Sequence, residues 1–77
     1  LKKWSMPVLW AVGDGPTRFS AVTRTLSTIT DRAAAIALKD LASLELIDRR
    51  IHDGFPPSAL YLPTRIGNRI TPLLADL

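Results

Sequence analysis

The sequence contains no cysteine, which excludes disulfides, Cys-ligated zinc and a thiol switch within these residues. Its single histidine, His52, has too few companions to build a metal site. No apolar stretch approaches the roughly 20 residues that a membrane span requires. No charged region, apolar region and cleavage site follow one another at the start. A soluble, cytoplasmic chain is the expectation, with no membrane partner. Catalytic signals are missing too: there is no nucleophile with a base and no carboxylate pair at a recognisable spacing. Gly13-Asp14-Gly15-Pro16 is a turn and not a phosphate loop, because the proline removes an N–H that such a loop needs. No enzyme activity, catalytic residue, cofactor or metal is expected. Repeats and low-complexity segments are absent.

What remains is a chain of 77 residues, 47% of them hydrophobic, with room for one domain around one core. The formal charge of +3 is compatible with a nucleic-acid partner but too mild to decide anything alone. The chain opens on Leu1 and stops at Leu77 within a run of apolar residues, which reads as a piece of something longer.

Local patterns give an order of elements. Ser5 is placed to cap a first helix that tolerates Pro7 in its first turn, with Trp4, Val8 and Val12 as its stripe and Gly13 as its stop. Asp14-Gly15-Pro16 reverses the chain. Thr17-Arg18-Phe19 can add a brief extended segment, after which Ser20 is expected to cap a second short helix carrying Val22 and Leu26. Thr30 then stands at a cap position ahead of Asp31, opening a third helix from 31 to about 45 with Ala34, Leu38 and Leu41 buried. Arg32, Ala35, Ile36, Lys39 and Ser43 fall on other faces. Ile47, Arg49 and Ile51 alternate with Asp48, Arg50 and His52, the period of a half-buried strand. A second strand is predicted over Ala59–Leu62, with the loop Asp53-Gly54-Phe55-Pro56-Pro57-Ser58 between them. Thr64 can cap a last helix, about 65–77, with Ile66, Ile70, Leu73, Leu74 and Leu77 on one stripe and a kink at Pro72. The fold class is therefore mainly α with a small β-hairpin. Residues 1–77 read as a single winged helix-turn-helix domain with its wing at about 47–62.

Several segments, in this order, resemble the HxlR branch of the MarR-like winged helix-turn-helix regulators: Lys3-Trp4 with the apolar run to Val12, Gly15-Pro16-Thr17-Arg18-Phe19, Ile29-Thr30-Asp31-Arg32, Leu38 and Leu41, Glu45-Leu46-Ile47-Asp48-Arg49, and Pro56, Pro57, Tyr61, Thr64 and Gly67. The likeness covers nearly the whole chain. It implies a DNA-binding transcriptional regulator that binds duplex DNA as a homodimer, with the third helix in the major groove and the wing beside a flanking minor groove. DNA-binding candidates are Arg18, Thr30, Arg32, Ile36, Lys39, Arg49 and Arg50. Arg18 either neutralises a phosphate or stands as a solvated charge, while Phe19 reads as a core plug. Thr30 is a cap and can meet a phosphate as well. For Arg49 and Arg50 a DNA contact and a solvated strand face stay open; His52 reads as a surface residue. The dimer candidates are Ile66, Ile70, Leu73, Leu74 and Leu77, whose apolar stripe a monomer would leave exposed unless it packed back on Trp4 and Trp10.

The chain departs from the family pattern in places. Glu45 replaces a glycine, and Ser58 stands where a wing arginine is common. Ala35, Ile36 and Ala37 occupy recognition-helix positions where the family presents polar groups. Ile36 can touch a thymine methyl and Lys39 a phosphate, but base-edge hydrogen bonding is reduced. An apolar patch from Ala33 to Ala37 supports an alternative, a degenerate winged-helix module for protein-protein contact. The N-terminal cysteine through which many family members sense oxidants is absent. The operator, the sign of regulation and any effector ligand are left open by the sequence.

Overall fold

Helix α1 (Ser5–Val12) buries Ser5, Val8, Leu9 and Val12 on one side, in a computed structural model that describes residues 3–74 of the chain. These positions recur at spacings of three and four, which stack on one helical face. The expected Ser5 cap does not form: Trp4 takes the N-cap position without a side-chain bond. Ser5 shares its face with Val8, Leu9 and Val12, so its side chain is carried inward to 1% exposure, away from the free N–H groups of the first turn. Its hydroxyl has no hydrogen-bond partner among the described residues. Gly13, at φ +58°, ends the helix, and its N–H donates to the Trp10 carbonyl at 3.0 Å.

The chain then turns through Gly15 into β1 (Thr17–Arg18) and α2 (Phe19–Leu26). The predicted Ser20 cap is also absent, since α2 begins at Phe19 with extended Arg18 at its N-cap. The cause is pairing. Arg18 lies opposite Leu60 in the sheet, so the switch from extended to helical backbone falls before the serine is reached.

Helix α3 (Asp31–Ser43) is capped as its sequence predicts, the Ala33 N–H donating to Thr30 Oγ1 at 3.0 Å. Ala34, Leu38 and Leu41 are buried, and so is Ala37, at 2% exposure. Ala37 stands three residues from Ala34 and four from Leu41, inside the core stripe, which takes it off the outer face where the sequence reading had it. The helix ends slightly before the expected Glu45. There the Glu45 N–H donates to the Ala42 carbonyl at 3.0 Å and the Leu46 N–H to the Leu41 carbonyl at 2.9 Å. This is the paired bonding of a Schellman ending, with Glu45 in the left-handed position at φ +60°.

Strands β2 (Ile47–His52) and β3 (Ser58–Pro63) form the hairpin, and β1 joins it in an antiparallel sheet of order β1-β3-β2. The register runs from Ile47 opposite Pro63 to His52 opposite Ser58, so the second strand is one residue longer at each end than predicted. The half-buried alternation expected of β2 fails after its first residue: Ile47 is buried and Asp48 to His52 are exposed on both faces. The strands run out past the helices, and nothing covers the far half. Phe55, at the tip, is fully exposed.

Helix α4 (Arg65–Leu74) starts at Thr64, whose Oγ1 accepts the Gly67 N–H at 3.1 Å and donates to the Glu45 carbonyl at 2.6 Å. One hydroxyl thus caps α4 and ties it to the end of α3. Pro72 lies inside this helix and leaves the carbonyl one turn earlier without an N–H. The core is made where α1, α2 and α3 meet the base of the sheet, with Leu9, Leu38 and Leu41 fully buried. Each such leucine contributes about 1.5–3 kcal/mol. Two short helices, a longer third and a strand hairpin make this a winged helix-turn-helix.

Candidate nucleic-acid interface

One side of α3 is spent on the core, and the other carries Arg32, Ala35, Ile36, Lys39 and Ser43, all exposed. At 3.6 residues per turn, Arg32, Ile36, Lys39 and Ser43 lie within about 60° of arc, and Arg32 and Lys39 are about 10 Å apart along the axis. Thr30 stands exposed at the N-terminal end of this face, beside the free N–H groups and the positive end of the helix dipole. Cations, a hydroxyl and one branched apolar side chain therefore share a surface held rigid by its buried half. That surface can meet phosphates at its edges and a thymine methyl at Ile36.

Beside it, a groove of about 300 Å³ separates α3 from the sheet, lined by Ala35, Leu38, Lys39, Ala42, Arg49 and Tyr61. Arg49 is directly opposite Tyr61 in the β2–β3 register. Directly opposed residues point to the same side of the pleat, so both face α3. Arg50 and Arg18 are each opposite Leu60, one residue along, and the same pleat turns them to the other side of the sheet. Arg50 Nε also lies 3.4 Å from Asp48 Oδ2, in an exposed pair of small energetic weight.

Of the DNA-binding candidates, the structure brings together Thr30, Arg32, Ile36, Lys39 and Arg49. It sets Arg18 and Arg50 apart from them. Tyr61 is one of the residues that carry the family likeness but was not among the DNA-binding candidates; the β2–β3 register sets it opposite Arg49. Phe19 is half-buried against the core, and His52 is exposed.

The stripe on α4 is split along its length. Ile70 and Leu74 are half-buried and pack on the core, whereas Ile66 and Leu73 are 53% and 65% exposed. Leu74 closes one side of an apolar cleft of about 240 Å³ that it lines with Met6, Pro7, Trp10 and Leu26. Packing back on α1 and an uncovered outer edge thus hold at once. Leu77 lies outside the described residues. Among the described residues, no helix is long and apolar enough to cross a membrane, and no group of His, Asp and Glu side chains could hold a metal ion.

Comparison with known proteins agrees with this geometry. The model of the HxlR-like helix-turn-helix family matches residues 1–77. An HTH-type transcriptional regulator of Methanothermobacter thermautotrophicus is 36% identical over 97% of this chain and 57% of its own length. The HTH-type transcriptional regulator YkvN of Bacillus subtilis is 31% identical over 97% of this chain and 64% of its own. The chain therefore spans about six-tenths of the length of these relatives. The crystal structure of diamide-treated YodB from Bacillus subtilis aligns with a TM-score of 0.85 at 27% identity, over 97% of this chain and 74% of that one.

Proposed function

This chain belongs to the HxlR-like helix-turn-helix family, and from that premise we propose that it is the DNA-binding domain of a cytoplasmic transcriptional regulator that binds duplex DNA as a homodimer. The observation that carries this reading is the outer face of α3, where Thr30, Arg32, Ile36 and Lys39 are exposed together on a helix anchored by Ala34, Ala37, Leu38 and Leu41. That helix enters the major groove with Thr30 and Arg32 leading. Arg32 and Lys39 meet phosphates or base edges, and Ile36 packs on a thymine methyl. Arg49 lies on the flank of the same surface. Arg18 and Arg50, on the far side of the sheet, reach only a neighbouring stretch of backbone.

Two copies associate through the α4 side that carries Ile66, Ile70, Leu73 and Leu74, removing the uncovered edge of the stripe from water. A two-fold dimer of this kind reads half-sites about one helical turn apart, roughly 34–36 Å. The burial of Ala37 shrinks the exposed apolar patch on α3 to Ala35 and Ile36, which removes the main support for a protein-contact module.

Fluorescence anisotropy against a pool of duplex DNA at low and moderate salt tests the proposal. Binding should be salt-sensitive and weakened by both Arg32→Ala and Lys39→Ala. A folded dimer that binds no duplex at low salt would overturn it.

A further inference from the structure

Lys39 enters the groove beside α3 from the helix, and Arg49 and Tyr61 enter from the adjacent strands β2 and β3, over a floor that includes Ala35 and Ala42. Leu38 also lines the groove, and the two alanines are small, which leaves room between the helix and the strands. Among the described residues, none of the Lys39, Arg49 and Tyr61 side chains makes a hydrogen bond or ion pair. Arg50, on the other side of the sheet, has Asp48 as its partner. Lys39 and Arg49 therefore bring like charge to one groove with no carboxylate lining it, and Tyr61 adds a neutral O–H donor to the same wall. This set has donors in excess and no anionic acceptor, the composition of a seat for a phosphate oxygen.

Position in the fold says which phosphate. With α3 in a major groove and the wing beside the next minor groove, the gap between helix and wing straddles the sugar-phosphate strand that separates the two grooves. We infer that this gap clamps one backbone phosphate of the bound duplex between Lys39, Arg49 and the Tyr61 hydroxyl, an assignment that rests on the DNA-binding reading above. Lys39 and Arg49 then set the depth and register of α3 and carry no sequence information, which is left to Thr30, Arg32 and Ile36. Tyr61 supplies direction without charge.

The charged and the neutral members of the seat leave different signatures in the salt dependence of binding to one duplex selected from the pool. Tyr61→Phe keeps the ring and its packing, which an unchanged melting temperature checks. It should weaken binding about tenfold, the size of one charge-assisted hydrogen bond, with the slope of log K against log salt unchanged. Arg49→Gln should weaken binding and lower that slope by about 0.9, and Arg49→Lys should restore the slope. The double variant should lose clearly less than the product of the two single losses, because a phosphate released by one substitution has nothing left to give the other. Wild-type affinity in Tyr61→Phe, or fully multiplicative losses in the double variant, would overturn the shared seat while leaving DNA binding intact. Failure of the unaltered protein to bind any duplex at low salt would overturn the DNA-binding reading and the seat with it.

Discussion

A β-carbon built on Gly67 would collide with the carbonyl oxygen of Leu46, the same oxygen that accepts the Thr64 N–H at 3.1 Å. The first turn of α4 therefore lies directly on the backbone that leaves α3, and only a residue without a side chain fits there. Neither party is a flexible side chain that could move aside.

Gly67→Ala should accordingly destabilise the domain by about 3 kcal/mol, at the upper end of overpacking costs, because relief requires α4 to lift off the α3–β2 junction. Urea denaturation gives the measure. A midpoint within experimental scatter of the parent would show that α4 docks more loosely than described.

Glu45 holds the left-handed position of the Schellman ending, where an L side chain costs about 1–2 kcal/mol and glycine costs little. Its contact with Thr64 runs through the backbone carbonyl, so a substitution keeps that bond. Glu45→Gly should stabilise the domain by about 1 kcal/mol, net of the extra freedom glycine has in the unfolded chain. Thermal unfolding should then shift upward by about 4–8 °C. A lower melting temperature would show that the carboxylate has a role of its own.

Leu73 and Leu74 are neighbours in sequence with different surroundings: Leu73 is largely exposed, and Leu74 lines the cleft with Met6, Pro7, Trp10 and Leu26. Leu73→Glu should weaken self-association by tenfold or more on the hot-spot scale and leave the monomer folded. Leu74→Glu should lower stability as well, by about 1–3 kcal/mol, because it places a charge against an apolar wall. Sedimentation velocity with circular dichroism separates the two effects. An undiminished dimer in Leu73→Glu would remove the outer edge of α4 from the interface.

Most of the element order was legible because it rests on local chemistry. Thr30 and Thr64 cap the helices they precede, Gly13 stops α1, and the 31–43 stripe buries Ala34, Leu38 and Leu41. Ala37 was misplaced although helical spacing alone puts it on the buried stripe, whereas the other misreadings turn on how parts of the chain far apart in sequence are arranged. Ser5 and Ser20 have the chemistry of caps, but burial claimed the first, and pairing of Arg18 with Leu60 moved the helix start past the second. The alternation of Ile47, Arg49 and Ile51 predicts a buried face only if something packs on it, and past Ile47 the strand stays exposed, Arg49 facing α3 only across an open groove. Within the candidate site, residue types pointed to Lys39 and Arg49. That they meet at Tyr61, and that Arg18 and Arg50 face the other way, depends on strand register, which a single sequence does not print.

The order β1-β3-β2 leaves β2 paired on one side only. Its open flank offers backbone donors and acceptors that another chain could extend into a larger sheet, and charged side chains are the usual deterrent to such stacking. Asp48, Arg49 and Arg50 supply that deterrent on an otherwise uncovered strand. Arg49 and Arg50 thus also help keep copies of the protein from joining edge to edge, so a variant stripped of both should lose solubility whatever its effect on a duplex.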